Sequence, residues 1–241
     1  MRFKVLINLC VVLIISGIIK VHAAAVFVNS WVTDNHIHST ADFSIAQSIT
    51  PTSGNLLLLF ITTRQDLVST PTISGWTSRG IKCSPTTTAC IYSYSKIASG
   101  SETVTATLDN QDADNSATLS ILEYSGALNI LNNSNSANGN SNTVTTGTLT
   151  TAHNNELLIG VAATDANVSH GSWTNGFTQR VDHRVTGRNV ELNVSVVDLT
   201  SNAAGTYSTG TTIGKSQVWS AMIFNFDSVE SSTSDLFYLK R

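Results

Sequence analysis

The chain has 241 residues, a net charge of −3, 41% apolar residues and only 12% charged ones. Serine, threonine and asparagine together supply roughly a third of it, well above ordinary globular usage. This composition is too apolar for a disordered tail, too poor in helix formers for a bundle or coiled coil, and too acidic for a nucleic-acid binder.

Residues 1–23 have the form of a secretory signal. Arg2 and Lys4 precede an apolar run from Val5 to Ile19, and Val21-His22-Ala23 offers a small-residue cleavage site. Cleavage removes Arg2, Lys4 and Lys20 but no acid, so the mature net charge is −6. The expectation is a secreted protein of the extracellular space or cell surface, touching membrane only through its cleaved signal. Cys10 leaves with the leader. The two remaining cysteines, Cys83 and Cys90, flank the turn-prone stretch Ser84-Pro85-Thr86-Thr87-Thr88-Ala89 and predict a disulfide across a hairpin loop.

Beyond residue 24 the pattern is of short β runs between Gly, Asn, Asp and Ser clusters. The first half contains Ala25 to Thr33, Phe43 to Ile49, Leu56 to Thr63, Trp76 to Lys82, Cys90 to Ala98, Thr103 to Leu108 and Ala117 to Tyr124. Thr143 to Thr151, Leu157 to Thr164, Phe177 to Asp182, Val190 to Leu199, Thr206 to Ile213 and Val218 to Phe226 follow. The unbroken apolar run Leu56 to Ile61 predicts a strand covered on both faces. Val190, Leu192, Val194 and Val196 alternate with Glu191, Asn193 and Ser195, which predicts one buried and one wet face. About a dozen strands and no convincing helix give an all-β fold, a sandwich or barrel.

The halves echo one another over about 42–128 and 143–227. Gly54-Asn55-Leu56-Leu57-Leu58 answers Asn154-Asn155-Glu156-Leu157-Leu158, and Ser74-Gly75-Trp76-Thr77 answers Gly171-Ser172-Trp173-Thr174. Tyr92 and Tyr94 stand against Leu192 and Val194, and Ala117 to Tyr124 against Gln217 to Phe224. The reading is one sandwich of two similar halves within residues 24–227, with two tandem domains as the alternative. Asn129 to Asn142, rich in Asn and Ser, reads as a long surface loop or a linker, and 228–241 as a tail.

The order of a "GNLLLL" strand, an "SGWT" turn, "KIASGSETVTATL" and "ILEYSG" resembles a jelly-roll, concanavalin A-like sandwich module of secreted bacterial surface and phage tail proteins. The resemblance covers roughly 25–227. It implies a jelly-roll-type antiparallel sandwich and a non-catalytic role in adhesion, glycan contact or assembly; it carries over no functional residue.

Catalysis finds little to work with. Glu102, Glu123, Glu156, Glu191 and Glu230 are the only glutamates of the mature chain, and none has a carboxylate two positions away on its strand, as a sandwich glycosidase would need. There is no Gly-x-Ser-x-Gly elbow. His36 and His38, near Asp34 and Asp42, read as a polar loop after the first strand. Asp109, Asp112 and Asp114 crowd hard oxygen donors into one loop and form the candidate calcium site, the one cofactor the sequence suggests. Arg180 and Arg184, with His183 and Arg188 beside them, would share a strand face able to hold an anion, or protect a sheet edge by charge. Among the tryptophans Trp31, beside a polar loop, is the candidate for sugar stacking. Asn132, Asn167 and Asn193 head glycosylation sequons.

The chain ends suggest assembly. Phe27 and Val28 lie in an apolar β-prone run near the mature N-terminus, and Leu236, Phe237 and Tyr238 form an apolar tip behind a polar spacer. Either could add a strand to a neighbouring subunit and build a fibre. The expected function is therefore a secreted, non-catalytic structural or adhesive surface protein capable of self-association, with a carbohydrate-binding, lectin-like module of surface glycans as the alternative.

Overall fold

A computed structural model describes residues 19–187 and 190–233. The apolar tip at Leu236, Phe237 and Tyr238, Arg188 and most of the signal segment lie outside the described residues. The described chain contains no helix and is an antiparallel β sandwich in two packed halves, compatible with jelly-roll wrapping.

Strand β1 (Ile19–His22) stands apart and pairs with the last strand. The first half then runs β2 (Val26–Ile37), β3 (Phe43–Ile49), β4 (Leu56–Thr63), β5 (Thr77–Cys83), β6 (Cys90–Ile97), β7 (Glu102–Leu108) and β8 (Asn115–Ser125). The second half runs β9 (Ala127–Thr145), β10 (Leu149–Thr151), β11 (Leu157–Thr164), β12 (Thr178–Val185), β13 (Leu192–Thr200), β14 (Gly205–Tyr207) and β15 (Gly210–Ser228); β16 (Glu230–Thr233) closes on β1.

The duplication is explicit in the topology. One five-stranded sheet has the order β2-β8-β4-β6-β5, and the other, read from its far edge, β9-β15-β11-β13-β12. The two-stranded sheets β3-β7 and β10-β14 complete the match. Each half is thus seven strands, and the repeat includes a first strand that the sequence comparison omitted. Asn129 to Asn142 is neither loop nor linker: it lies in β9, the counterpart of β2, and pairs antiparallel with β15. Its turn-forming composition is overridden by that ladder with an apolar neighbour.

The registers also shift the equivalences. Positive φ occurs at Gly54 and Asn155 and at Gly75 and Gly176, each pair the same distance apart in sequence. Ser74-Gly75-Trp76-Thr77 therefore corresponds to Asn175-Gly176-Phe177-Thr178, with β5 and β12 starting at the final threonines. Leu56 pairs with Tyr124 and Leu157 with Phe226, so the counterpart of Tyr124 is Phe226, not Phe224. By the same ladders Tyr92 matches Ser195 rather than Leu192.

Three cores follow from period-2 alternation on strands covered on both sides. Leu56, Leu58 and Phe60 of β4 meet Leu157, Ile159 and Val161 of β11 between the large sheets, where Phe60 and Phe224 lie 5.9 Å apart. Leu57, Leu59 and Ile61 point the other way, under the β3-β7 cover. Leu158, Ala162, Trp219 and Ile223 form the third core, under β10-β14 and the 166–177 loop. The wet face expected for β13 is buried too: Asn193 and Ser195 are both 0% exposed. Ser195 Oγ accepts from Trp173 Nε1 at 3.1 Å, and Asn193 Nδ2 donates to Val168 O.

The halves are joined by ionisable and aromatic groups at matching positions. β5 and β12 each carry a bulge at an arginine, Arg79 and Arg180. Arg79 crosses to the second half, donating to Asn129 Oδ1 at 2.7 Å with its guanidinium 5.9 Å from the Phe226 ring. Arg180 crosses the other way, 4.5 Å from the Phe27 ring, and donates to Asp198 Oδ2 at 2.9 Å; that oxygen also accepts from Tyr124. Arg64 and Asp165, the residues that follow β4 and β11, meet each other at 3.2 Å.

Candidate functional site

The disulfide forms as expected. Cys83 and Cys90 are directly opposed partners on β5 and β6 and are bonded to each other. Asp66 Oδ1 lies beside the sulfurs and accepts from the Tyr92 hydroxyl at 2.7 Å. Burial, and then the neighbouring Asp66, push the Tyr92 phenol well above its ordinary value. Among the described residues Asp66, Cys83 and Cys90 form the single cluster of three metal-ligand types, but two thiols joined in a disulfide offer no thiolate to an ion.

The aspartate loop does not assemble a cation site of that kind: Asp109, Asp112 and Asp114 do not converge. Its organiser is Asn110, 4% exposed, whose Nδ2 donates to the carbonyls of Ser39 and Asp112 and whose Oδ1 accepts from Asn115. Asp109 Oδ2 accepts from Ser69 at 3.0 Å, while Asp114 Oδ1 lies 2.6 Å from His38 Nδ1. His36 and His38 stack edge-to-face at 5.6 Å rather than clasping a common point.

The bulge in β12 separates the arginines expected to share a face. Arg180 turns inward to Asp198 and Phe27, whereas Arg184 reaches Asn167 on the other side, at 3.3 Å. The bland expectation for this strand fits better, since β12 is a sheet edge carrying charge. Trp31 is half-buried against the first half's outer core. Phe27 and Val28 belong to β2, and β2 is already paired with β8 of its own sheet; Phe27 packs edge-on against Tyr124 at 5.8 Å. They form no free donor strand, because the hydrophobic ring is better buried at home.

Glu123 on β8 and Glu156, just before β11, are buried and bonded within the fold. Glu123, 2% exposed, accepts from Asn55 Nδ2 at 2.6 Å and from Thr52 N at 2.8 Å. Glu156, 0% exposed, accepts from Asn225 Nδ2 at 3.1 Å, Asn132 Nδ2 at 3.0 Å and Ala152 N at 3.2 Å. The ladders align Asn55 with Glu156 and Glu123 with Asn225, so the two halves make one amide–carboxylate bond with its partners exchanged.

A recess that the sequence reading missed lies on the outer side of the second half. The cover ladder β3-β7 has seven rungs; its counterpart β10-β14 has three. Beyond those three rungs, where the first half places apolar pairs such as Ile45 with Ala106, the second half has Gly147 and Thr209, and a cavity of about 390 Å³ opens. Its walls are threonines and serines, including Thr145, Thr148, Ser172, Ser208 and Thr212, with Val144 and glycine backbone between them and no ionisable side chain. Thr209 and Thr211 are tied back to the carbonyls of Thr174 and Gly171, at 3.0 and 2.9 Å. The available signal was the run of small polar residues at 143–148 and 208–212, which composition alone assigns to turns.

Comparison with protein-family models, with curated proteins and with solved structures found no match to this chain.

Proposed function

We propose that the chain is a secreted, non-catalytic protein of the extracellular surface, structural or adhesive, built on a duplicated jelly-roll module of the kind found in bacterial surface and phage tail proteins. One observation carries this reading: charged groups inside the molecule, Arg64 with Asp165 and Arg180 with Asp198, are engaged in holding it together, while the recess beside β10 is lined by neutral residues. General acid–base or nucleophilic chemistry needs a titratable group within reach of a bound substrate, and this recess offers none. A stapled hairpin and three buried apolar cores suit a rigid scaffold that works by contact.

The recess favours a second reading, a lectin-like module for a neutral glycan. Hydroxyls and backbone groups donate and accept alike, as a sugar does, and they carry no desolvation cost of charge. One experiment separates the readings. The purified protein is sedimented with isolated cell envelopes and, in parallel, tested on an array of neutral oligosaccharides, using wild type, Thr145→Val and Ser172→Val. Envelope binding that survives both substitutions supports the first reading. Oligosaccharide binding that both abolish supports the second. Turnover of the bound material, or binding to neither, overturns both.

A further inference from the structure

The four edges of the two large sheets are not alike. All four edges have register shifts in their ladders, those of β9 lying outside Asn133–Ser141; but β2 carries Asp34 and His36, β5 carries Arg79 and Lys82, and β12 carries Arg180, Asp182, His183 and Arg184. These are the devices by which natural proteins discourage edge-to-edge pairing. β9, the fourth edge, spans 19 residues without one charged residue or proline. From Asn133 to Ser141 it pairs with β15 over nine consecutive rungs with no shift, so this stretch is long and regular.

Two hydrogen bonds tell which backbone groups face outward. Ser134 N and Ser136 N donate to the side chains of Asn133 and Asn135, at 2.9 and 2.8 Å, rather than across the sheet. By the period of two, the N–H and C=O groups of Ser134, Ser136, Asn138 and Asn140 share that outer edge. Among the described residues no backbone group outside the sheet pairs with them. The side chains on both flanks are held meanwhile: Asn135 Nδ2 donates to Thr148 O at 2.6 Å and Asn138 Nδ2 to Cys83 O at 2.8 Å.

We propose that the β9 edge is a self-association site whose occupant is β9 of a second copy of this chain, antiparallel to the first. A two-fold axis at Ala137 pairs Ser134 with Asn140 and Ser136 with Asn138, and the reverse pairs follow by symmetry. The five-stranded sheet thereby continues into its partner as ten strands. Self-pairing suits this sequence because an asparagine amide is both donor and acceptor, so identical strands are complementary. No like charges oppose one another across the axis. The Asn133 and Asn135 side chains, which shield two outward N–H groups in the single chain, turn away when a carbonyl of the partner replaces them, and Asn135 gives up its bond to Thr148 O as it does so. The pairing is closed, so it yields a dimer and not a fibre, and it requires neither adhesion nor a glycan.

The test is the mass of the secreted protein by light scattering over a dilution series, with backbone hydrogen exchange of residues 133–141. The wild type is expected at twice the single-chain mass at the concentrated end, with slowed exchange at Asn138 and Asn140 that is lost on dilution. Asn140→Pro deletes one outward N–H and leaves the backbone bonds to β15, losing besides only the exposed 3.4 Å bond from Ser216 Oγ to Asn140 Oδ1, and is expected to be a single chain with a thermal midpoint close to that of wild type. Ser134→Lys, which needs no change of backbone, is expected to do the same. A wild type of single-chain mass at its solubility limit overturns the proposal, as does a dimer that survives both substitutions. Envelope or glycan binding is read separately and bears on neither result.

Discussion

Exchanging Asn55 and Glu123 should convert the polar pair of the first half into that of the second. Glu123→Asn removes a carboxylate that accepts from Asn55 Nδ2 and Thr52 N. Bonds to a charged group contribute about 1.5–3 kcal/mol each, and the donors left behind are only partly reached by water, so a loss of about 3 kcal/mol is expected. Asn55→Glu sets a second carboxylate against Glu123 and should cost a similar ~3 kcal/mol, by like-charge repulsion at a nearly closed site. The double variant rebuilds the geometry seen at Glu156 and Asn225, with Thr52 N–H in the place of Ala152 N–H. It lacks one donor, because Val28 stands at the bulge position that Asn132 occupies in β9. The double variant should therefore remain about 1–2 kcal/mol below wild type, far less than the sum of the single losses. Urea unfolding of the four proteins gives the coupling directly. Additive losses would refute the exchange, and with it the register that aligns the halves.

Two further outcomes follow from the same structure. Reducing Cys83–Cys90, which closes a loop of separation 7, should cost about 2–3 kcal/mol in urea unfolding, and free-thiol labelling of the denatured, unreduced protein should find no thiol in either; two reactive thiols would overturn it. Burial raises the phenols of Tyr92, Tyr94 and Tyr124, that of Tyr94 to about 12, while the unfolded chain ionises near 10. The folded state then holds more protons above pH 10, so stability should be flat on this account below that value and fall as pH rises beyond it. Tyr94→Phe should make the fall shallower, and tyrosinate absorbance that grows in the folded protein at a constant urea midpoint would contradict the assignment.

The strands were largely legible in the sequence, since Leu56 to Ile61 declares a strand covered on both faces and the run Phe43 to Ile49 coincides with β3. The registers were harder. Ser-Trp-Thr at 172–174 imitates Gly-Trp-Thr at 75–77, whereas the feature the backbone repeats is a positive-φ glycine before a strand with a bulged arginine. A slip by an odd number of residues inverts faces, and a slip of three sets Tyr92 against Leu192 in place of Ser195. β9 was illegible for a different reason: its residues favour turns, and only the apolar β15 beside it makes a strand the better state. Asp109, Asp112 and Asp114 share a loop in sequence, but the buried Asn110 sends that loop's polar groups to separate partners. The recess escaped notice because it arises from a missing stretch of cover ladder, and absence leaves no motif.

Arg64 and Asp165 occupy one position of the repeat and touch each other. Two identical halves meeting through that position would have to set arginine against arginine, or aspartate against aspartate. Joining the halves in one chain removes the constraint, for each copy can then specialise towards the other. The ion pair therefore distinguishes a seven-strand unit that can still associate with its own kind from one that cannot. Across this contact each half meets the other through a residue of opposite charge, and there neither half is its own complement.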